Sequence, residues 1–263
     1  MLKLSNVTKV FNAGTYDEKT AINKLSIDIK DGDFVTIIGS NGAGKSTLFN
    51  LISGNCDIDS GLIELDGINI SNVSEYKRAK YIGRLFQDPM KGTCPNLTIE
   101  ENLGLAYLQS TNRGLFSALN KKDKEFIKSK LALLGMGLED RTSSLMGLLS
   151  GGQRQAVTLL MATLTIPKLL LLDEHTAALD PITAEKVLTI TKDVVETNNI
   201  TTMMITHNMA DALKYGNRLL MMKDGRVVLD IEGDEKKTYT VEKLLQKFKE
   251  NTGIQLDNDR MML

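Results

Sequence analysis

Phe34-Val35-Thr36-Ile37-Ile38-Gly39-Ser40-Asn41-Gly42-Ala43-Gly44-Lys45-Ser46-Thr47 decides the fold. Its first five residues form a near-continuous apolar run, which suits a strand covered on both faces. From Gly39 to Thr47 the sequence fits Gly-x4-Gly-Lys-Ser, the pattern of a loop that cradles phosphate. The glycines Gly39, Gly42 and Gly44 let the backbone curl, so that N–H groups across Ser40, Asn41, Ala43 and Thr47 point inward at phosphate oxygens. A helix opening at Lys45 adds the favourable end of its dipole. Lys45 supplies a point charge to β- and γ-phosphates, and the Ser46 hydroxyl is a ligand for Mg²⁺. By itself the motif specifies a nucleoside triphosphate and no particular reaction.

On the N-terminal side, Val7, Val10 and Phe11 are apolar. Leu25, Ile27 and Ile29 alternate with Ser26, Asp28 and Lys30 in the two-residue period of a half-buried strand. The loop Asn12–Lys19 separates these segments. From about Tyr76 to Gly147 helical patterns take over, as in Asp123–Leu134, where Phe126, Ile127, Lys130, Leu131 and Leu134 mark a stripe. The basic stretch Lys121–Lys124 reads as a solvated face. Helix and strand then alternate: helix Gln153–Leu164, buried strand Leu169–Leu172, helix Ala184–Glu196, strand Thr201–Ile205. That alternation predicts a mostly parallel sheet with helices on both faces. Leu219–Met222 and Arg226–Ile231, joined by Lys223-Asp224-Gly225, predict a hairpin, and Val241–Lys249 a last helix before a mobile polar tail. The expected class is α/β: a P-loop nucleotide hydrolase with a mostly parallel central sheet, an N-terminal antiparallel β subdomain and a helical subdomain inserted at about 88–150. Residues 1–240 make one domain, and 241–263 the terminal helix and tail.

Leu169-Leu170-Leu171-Leu172-Asp173-Glu174 supplies the second half of such a site. A buried strand delivers a carboxylate to the rim of the sheet, where Asp173 holds Mg²⁺ through water and Glu174 polarises the water that attacks the γ-phosphate. The alternative is a pair of acids capping the next helix. Leu149-Ser150-Gly151-Gly152-Gln153-Arg154-Gln155 is another helix start suited to an anion. The Gly39–Thr47 cradle already takes one nucleotide, so a second phosphate grip needs a separate use. His207, at the end of a buried strand, is placed to donate a hydrogen bond to a γ-phosphate, or else is a packed or capping side chain.

Of the 263 residues, 42% are hydrophobic and 25% charged, a globular composition long enough for a large core. The formal net charge of -1 gives no field that would favour nucleic acid or anionic lipid. No apolar run approaches the roughly 18–20 residues that cross a bilayer, and Met1–Asn6 lacks the features of a signal peptide. A cytoplasmic location is therefore expected. Cys56 and Cys94 have no metal-ligand spacing and read as reduced thiols.

Together these motifs resemble the ATP-binding-cassette (ABC) ATPases over roughly residues 1–235. Leu149-Ser150-Gly151-Gly152-Gln153 is similar to the family's signature sequence, which is more specific than the phosphate loop. The resemblance implies that Gln87, in Leu85-Phe86-Gln87-Asp88-Pro89, is the Q-loop glutamine that contacts Mg²⁺. It makes Asp180 the D-loop aspartate, His207 the switch histidine, and Phe11 an adenine stacker. Phe11 is otherwise a core residue, and Tyr16 is the alternative stacker. In such proteins two copies face each other head to tail, so that Ser150, Gly151, Gly152 and Gln153 of one close over the ATP held by Lys45 of the other. The resemblance further implies an integral-membrane permease, whose coupling helices dock near Gln87–Asn102, and an extracytoplasmic substrate-binding protein.

One departure stands out: His175-Thr176-Ala177 follows Glu174, where the family most often has Pro-Thr-Ser, and the role of His175 stays open. The longer strings around Gln87, Ser150 and Asp173 resemble a bacterial importer subgroup, some of whose members are associated with tryptophan or other aromatic amino acids. The implied activity is ATP hydrolysis coupled to import, on the inner face of the membrane. The alternatives are an exporter or lipoprotein-release ATPase, or a soluble scaffold such as those of iron–sulfur cluster assembly. The interval between phosphate loop and signature is too short for the coiled coil of DNA-repair members.

Overall fold

A computed structural model describes residues 1–110 and 119–252. In chain order the elements are β1 (Leu2–Phe11), β2 (Lys19–Ile29), β3 (Phe34–Gly39), α1 (Lys45–Ser53), β4 (Ser60–Leu65), β5 (Ile68–Asn69), α2 (Glu75–Arg78), β6 (Ile82–Leu85), α3 (Ile99–Ser110), α4 (Lys121–Ala132), a 3₁₀ turn (Met146–Leu148), α5 (Gly151–Thr163), β7 (Leu169–Asp173), α6 (Pro181–Asn198), β8 (Thr201–Ile205), α7 (Met209–Lys214), β9 (Arg218–Lys223), β10 (Arg226–Glu232), α8 (Gly233–Lys237) and α9 (Val241–Thr252). They fall into two compact units, Met1–Ala79 with the chain from Thr201 onward, and Lys80–Ile200.

In the first unit, β2, β1, β4 and β5 form an antiparallel sheet in that order. The strands β10-β9-β3-β8 lie side by side, with β3 parallel to both β8 and β9, and β10 closing an antiparallel hairpin on β9. Every residue of β3 and β8 is buried, which suits their content of apolar and β-branched residues, the threonines Thr36, Thr201 and Thr202 included. Ile38, Leu219, Met221 and Ile231 share a core with Met209 and Ala212 of α7 and with Leu244 and Phe248 of α9.

In the second unit β6 runs parallel to β7, with Arg84 opposite Leu171. Ile99 and Leu103 of α3, Ile127 and Leu131 of α4, and Val157 and Leu160 of α5 share one apolar core. The basic stretch Lys121–Lys124 is the first turn of α4. Asp123 is its buried member, locked into a capping box with Asn120, and Lys124 reaches Glu100 at 2.6 Å.

The α/β class, the largely parallel strands and the antiparallel N-terminal sheet match expectation. Two points need correction. The segment from Tyr76, where helical patterns dominate, also contains β6, a strand too short, and too interrupted by Gly83 and Arg84, to show a period. Strands β4 and β5 were also not foreseen. Helices α5 and α6 start two and three residues earlier than their apolar stripes, because Ser150 and Asp180 cap them. The expected mobile tail lies almost wholly outside the described residues.

The helix behind the phosphate loop is secured at its far end by a cation. Arg78, 2% exposed, donates from Nη1 to the carbonyls of Leu51 and Ile52 at 2.7 and 2.8 Å, and from Nε and Nη2 to those of Val73 and Ser71. Positive charge is favoured against the last carbonyls of a helix. Gly54 leaves it room, since a Cβ there would stand 2.8 Å from Nε. Arg78→Ala strands these acceptors and is expected to cost about 3–4 kcal/mol. Urea unfolding should show a lower midpoint at unchanged slope.

Candidate active site

Each unit carries one half of the motif set. In the first, β3 delivers Gly39 to the carboxyl edge of its sheet. A Cβ on Gly39 would lie 2.3 Å from the Met222 carbonyl, and one on Gly44, at φ 102°, 2.4 Å from that of Ala21. The loop is therefore pressed against its own scaffold at both ends. It is braced from behind by the β9–β10 turn, where the Gly225 N–H donates to the Ala43 carbonyl at 3.0 Å. Helix α1 starts at Lys45 with no side-chain cap and no acid in its first turn, which leaves its N-terminal dipole to an incoming anion. The Lys45 ammonium is buried and folded over the loop, donating to the Gly39 carbonyl at 2.7 Å and to that of Ser40 at 3.2 Å.

Register places His207 beside this loop. Ile37 pairs with Ile205 across the parallel strands β3 and β8, so Gly39 and His207 each stand two residues further along, at one sheet edge. The Thr206 N–H donates to the Ile37 carbonyl at 3.1 Å, and Asn208 caps α7. The capping role considered for His207 thus belongs to its neighbour, and His207 is half-buried. Phe11 ends β1 and is 39% exposed, which removes the core reading for it; Tyr16 is exposed as well. Phe11 pairs across the hairpin with Lys19, whose ammonium lies 3.4 Å from where a Cβ on Gly42 would be. Lys19 was not singled out from sequence. Its position opposite an aromatic at a hairpin mouth is the signal that would have found it.

In the second unit β7 ends in Asp173, whose Oδ2 lies 3.5 Å from Nη2 of Arg84. Glu174 follows at φ 46°, a left-handed backbone rarely adopted outside glycine. The residue turns sharply off the strand end and is half-buried. A strained residue of this kind persists where surrounding structure holds it, commonly at functional sites. Gln87 follows β6 by two residues and is exposed.

Ser150 caps α5. The Gln153 N–H donates to Ser150 Oγ at 3.3 Å, and the Ser150 N–H to Gln153 Oε1 at 3.2 Å. The Ser150 hydroxyl proton and the neighbouring backbone N–H groups remain as donors to an anion, whereas the Gln153 side chain is engaged in the cap. Gly152 also has a packing reason: a Cβ there would stand 2.0 Å from Thr183 Cγ2 of α6. Asp180, exposed, caps α6 by accepting from the Thr183 N–H at 3.1 Å, and hydrogen bonding from Thr183, its side chain first and its backbone second, holds the carboxyl below the usual range.

His175 turns out to be a packed side chain. It is buried, and its Nε2 lies 3.3 Å from Thr191 Oγ1. That hydroxyl spends its proton on the Val187 carbonyl at 2.8 Å, so Nε2–H is the donor to it. Burial pushes the imidazole down to about 4. An unfolded histidine titrates near 6.5, so the unfolded chain binds the extra proton first. The contribution is complete above about pH 6.5 and is lost as pH falls toward 4, up to about 3 kcal/mol. Urea unfolding at pH 7.5 and 4.5 should show a smaller acid loss for His175→Gln than for the parent.

The oxygen donors named for a metal, the Ser46 hydroxyl, the Gln87 amide and the Asp173 carboxylate, suit a hard cation such as Mg²⁺ that also draws on phosphates and water. Among the described residues no cluster of three or more His, Cys, Asp or Glu would bind a metal without them. Cys56 and Cys94 are both free thiols. No helix among the described residues is long and apolar enough to cross a membrane.

Residues 22–177 match the family ABC transporter. A tyrosine transport ATP-binding protein of Clostridioides difficile (strain R20291) is 47% identical over 248 residues, 94% of this chain and 98% of that protein. The phosphonates import ATP-binding protein PhnC of Lactococcus lactis subsp. cremoris (strain SK11) is 32% identical over 88% of this chain and 92% of its own. Among solved structures, the dimeric post-hydrolysis state of the ATP-binding cassette MJ0796 bound to ADP and Pi superposes with a TM-score of 0.76, at 30% identity, covering 88% of this chain and 98% of that one.

Proposed function

Since the chain belongs to the ABC transporter family and is an ATP hydrolase of its cassette type, we propose that it powers an importer whose permease and extracytoplasmic binding protein are separate chains, with an aromatic amino acid as cargo. The observation that carries this reading is the likeness to the tyrosine transport protein, which spans nearly the full length of both chains. On this reading the chain works at the inner face of the membrane, held there by the permease.

The roles follow from the chemistry of each residue. The backbone from Gly39 to Thr47 binds the phosphates, Lys45 neutralises them, and Phe11 stacks on the adenine. Ser46, Gln87 and Asp173 hold Mg²⁺, which when bound draws charge from the transferring phosphoryl group. Glu174 orients and deprotonates the attacking water, and His207 donates to the γ-phosphate from the edge it shares with Gly39. Ser150, Gly151, Gly152 and Gln153, with Asp180, present the second grip to the nucleotide of a second copy, in keeping with the dimeric relative.

Purification of the tagged chain from detergent-solubilised membranes tests the transport assignment. Recovery of a multi-span protein in fixed ratio is expected; recovery of soluble assembly proteins alone would overturn it. Cells whose only copy carries Glu174→Gln should lose high-affinity tyrosine or tryptophan uptake, and unchanged uptake of both removes the cargo assignment.

A further inference from the structure

Arg84 is a motif-adjacent cation for which the functional roles above have no use. It sits on β6, three residues before Gln87, with its guanidinium carbon 4.6 Å from the ring centroid of Phe86. Its Nη2 is 3.5 Å from Asp173 Oδ2, and the two side chains are only 10% and 12% exposed. Strand pairing explains the meeting: Arg84 is opposite Leu171, two residues before Asp173 on the same face of β7. The ring of Phe86 and the parallel ladder hold the guanidinium there, so the pair is built in and not a chance surface contact.

This placement is unusual for a carboxylate assigned to a metal. A fixed cation with little solvent around it cancels much of the negative potential that would draw Mg²⁺. It also engages one of the two carboxylate oxygens. Among the described residues no group of three or more His, Cys, Asp or Glu would hold a metal, so the charge of nucleotide phosphates is needed to complete a site at Asp173.

We propose that Arg84 sets the Mg²⁺ affinity of the chain, acting as a counter-charge to Asp173 that keeps the carboxylate unattractive to metal until nucleotide is bound. Arg84 is a positioning residue in this role and touches no reacting atom. The inference rests on the assignment of Asp173 as a metal ligand.

The test titrates a non-hydrolysable ATP analogue into the full chain by calorimetry at a series of buffered free Mg²⁺ concentrations, and reads the Mg²⁺ midpoint for tightening of nucleotide binding. Arg84→Gln should lower that midpoint about five- to tenfold, from the loss of one unit charge at this separation. Arg84→Met, which keeps the stem on Phe86, should do the same and stands in if glutamine disturbs folding. Arg84→Lys, which keeps the charge, should stay within about twofold of the parent. An unchanged or raised midpoint in the neutral variants overturns the proposal, as does weaker analogue binding in EDTA or lower thermal stability with no movement of the midpoint. Asp173→Asn separates the two layers. If it raises the midpoint while the Arg84 variants leave it alone, only the role of Arg84 falls; if it leaves the midpoint unchanged, the ligand assignment falls and the proposal with it.

Discussion

Glu174→Gln is expected to bind ATP within about twofold of the parent, to lose at least about a hundredfold in turnover, and to accumulate as an ATP-dependent dimer. The size of the loss is that of removing a general base. Geometry makes the substitution clean. Glu174 occupies a left-handed backbone at φ 46°, and glutamine meets the same backbone cost, so the change reports on the carboxylate and not on the turn. Binding should survive because the phosphate grip belongs to the loop at the end of β3. The dimer should accumulate because hydrolysis is what releases two copies sharing nucleotide. Steady-state phosphate release, calorimetric ATP titration and size exclusion with and without ATP give the three readouts. Parent-like turnover would refute the base assignment, and a monomer at saturating ATP would refute the shared-nucleotide arrangement.

Lys45→Ala should weaken ATP binding by about a hundred- to a thousandfold. The ammonium is already desolvated and poised over the loop, donating to the Gly39 and Ser40 carbonyls. On nucleotide binding it exchanges neutral acceptors for charged ones, and each charge-assisted bond contributes about 1.5–3 kcal/mol. Two such bonds to phosphate, less the two neutral bonds given up, correspond to about two or three decades in affinity. The fold should persist, because α1 is held at its other end by Arg78. The rise in melting temperature that ATP confers on the parent should therefore vanish at the same ATP concentration while the ligand-free value moves little. Undiminished ATP affinity would remove Lys45 from the site.

What could be read from sequence divides along physical lines. The phosphate loop, Asp173-Glu174 and Ser150–Gln153 were legible because their chemistry is local: a turn that needs glycine, a helix start that needs a cap, a buried strand that ends in a charge. The fully buried strands β3, β7 and β8 were legible for the same reason, as short runs of apolar and β-branched residues. Arg84 was not, because its meaning lies in a partner almost ninety positions away, brought close by strand register. Lys19 was missed likewise, since a lysine at a strand start looks solvated until its hairpin partner is known. Gly152 was read through phosphate alone, though the side chain of Thr183 would exclude any larger residue there. The role of His175 is decided by its burial, which its sequence neighbours do not reveal.

The contact between Gly152 and Thr183 has a practical corollary for anyone building hybrids of this protein. Helices α5 and α6 meet where one has no side chain at all, and each begins at a motif residue, Ser150 or Asp180. Neither turn can be shifted or exchanged alone without wedging the joint apart. The two helix starts must therefore be exchanged together.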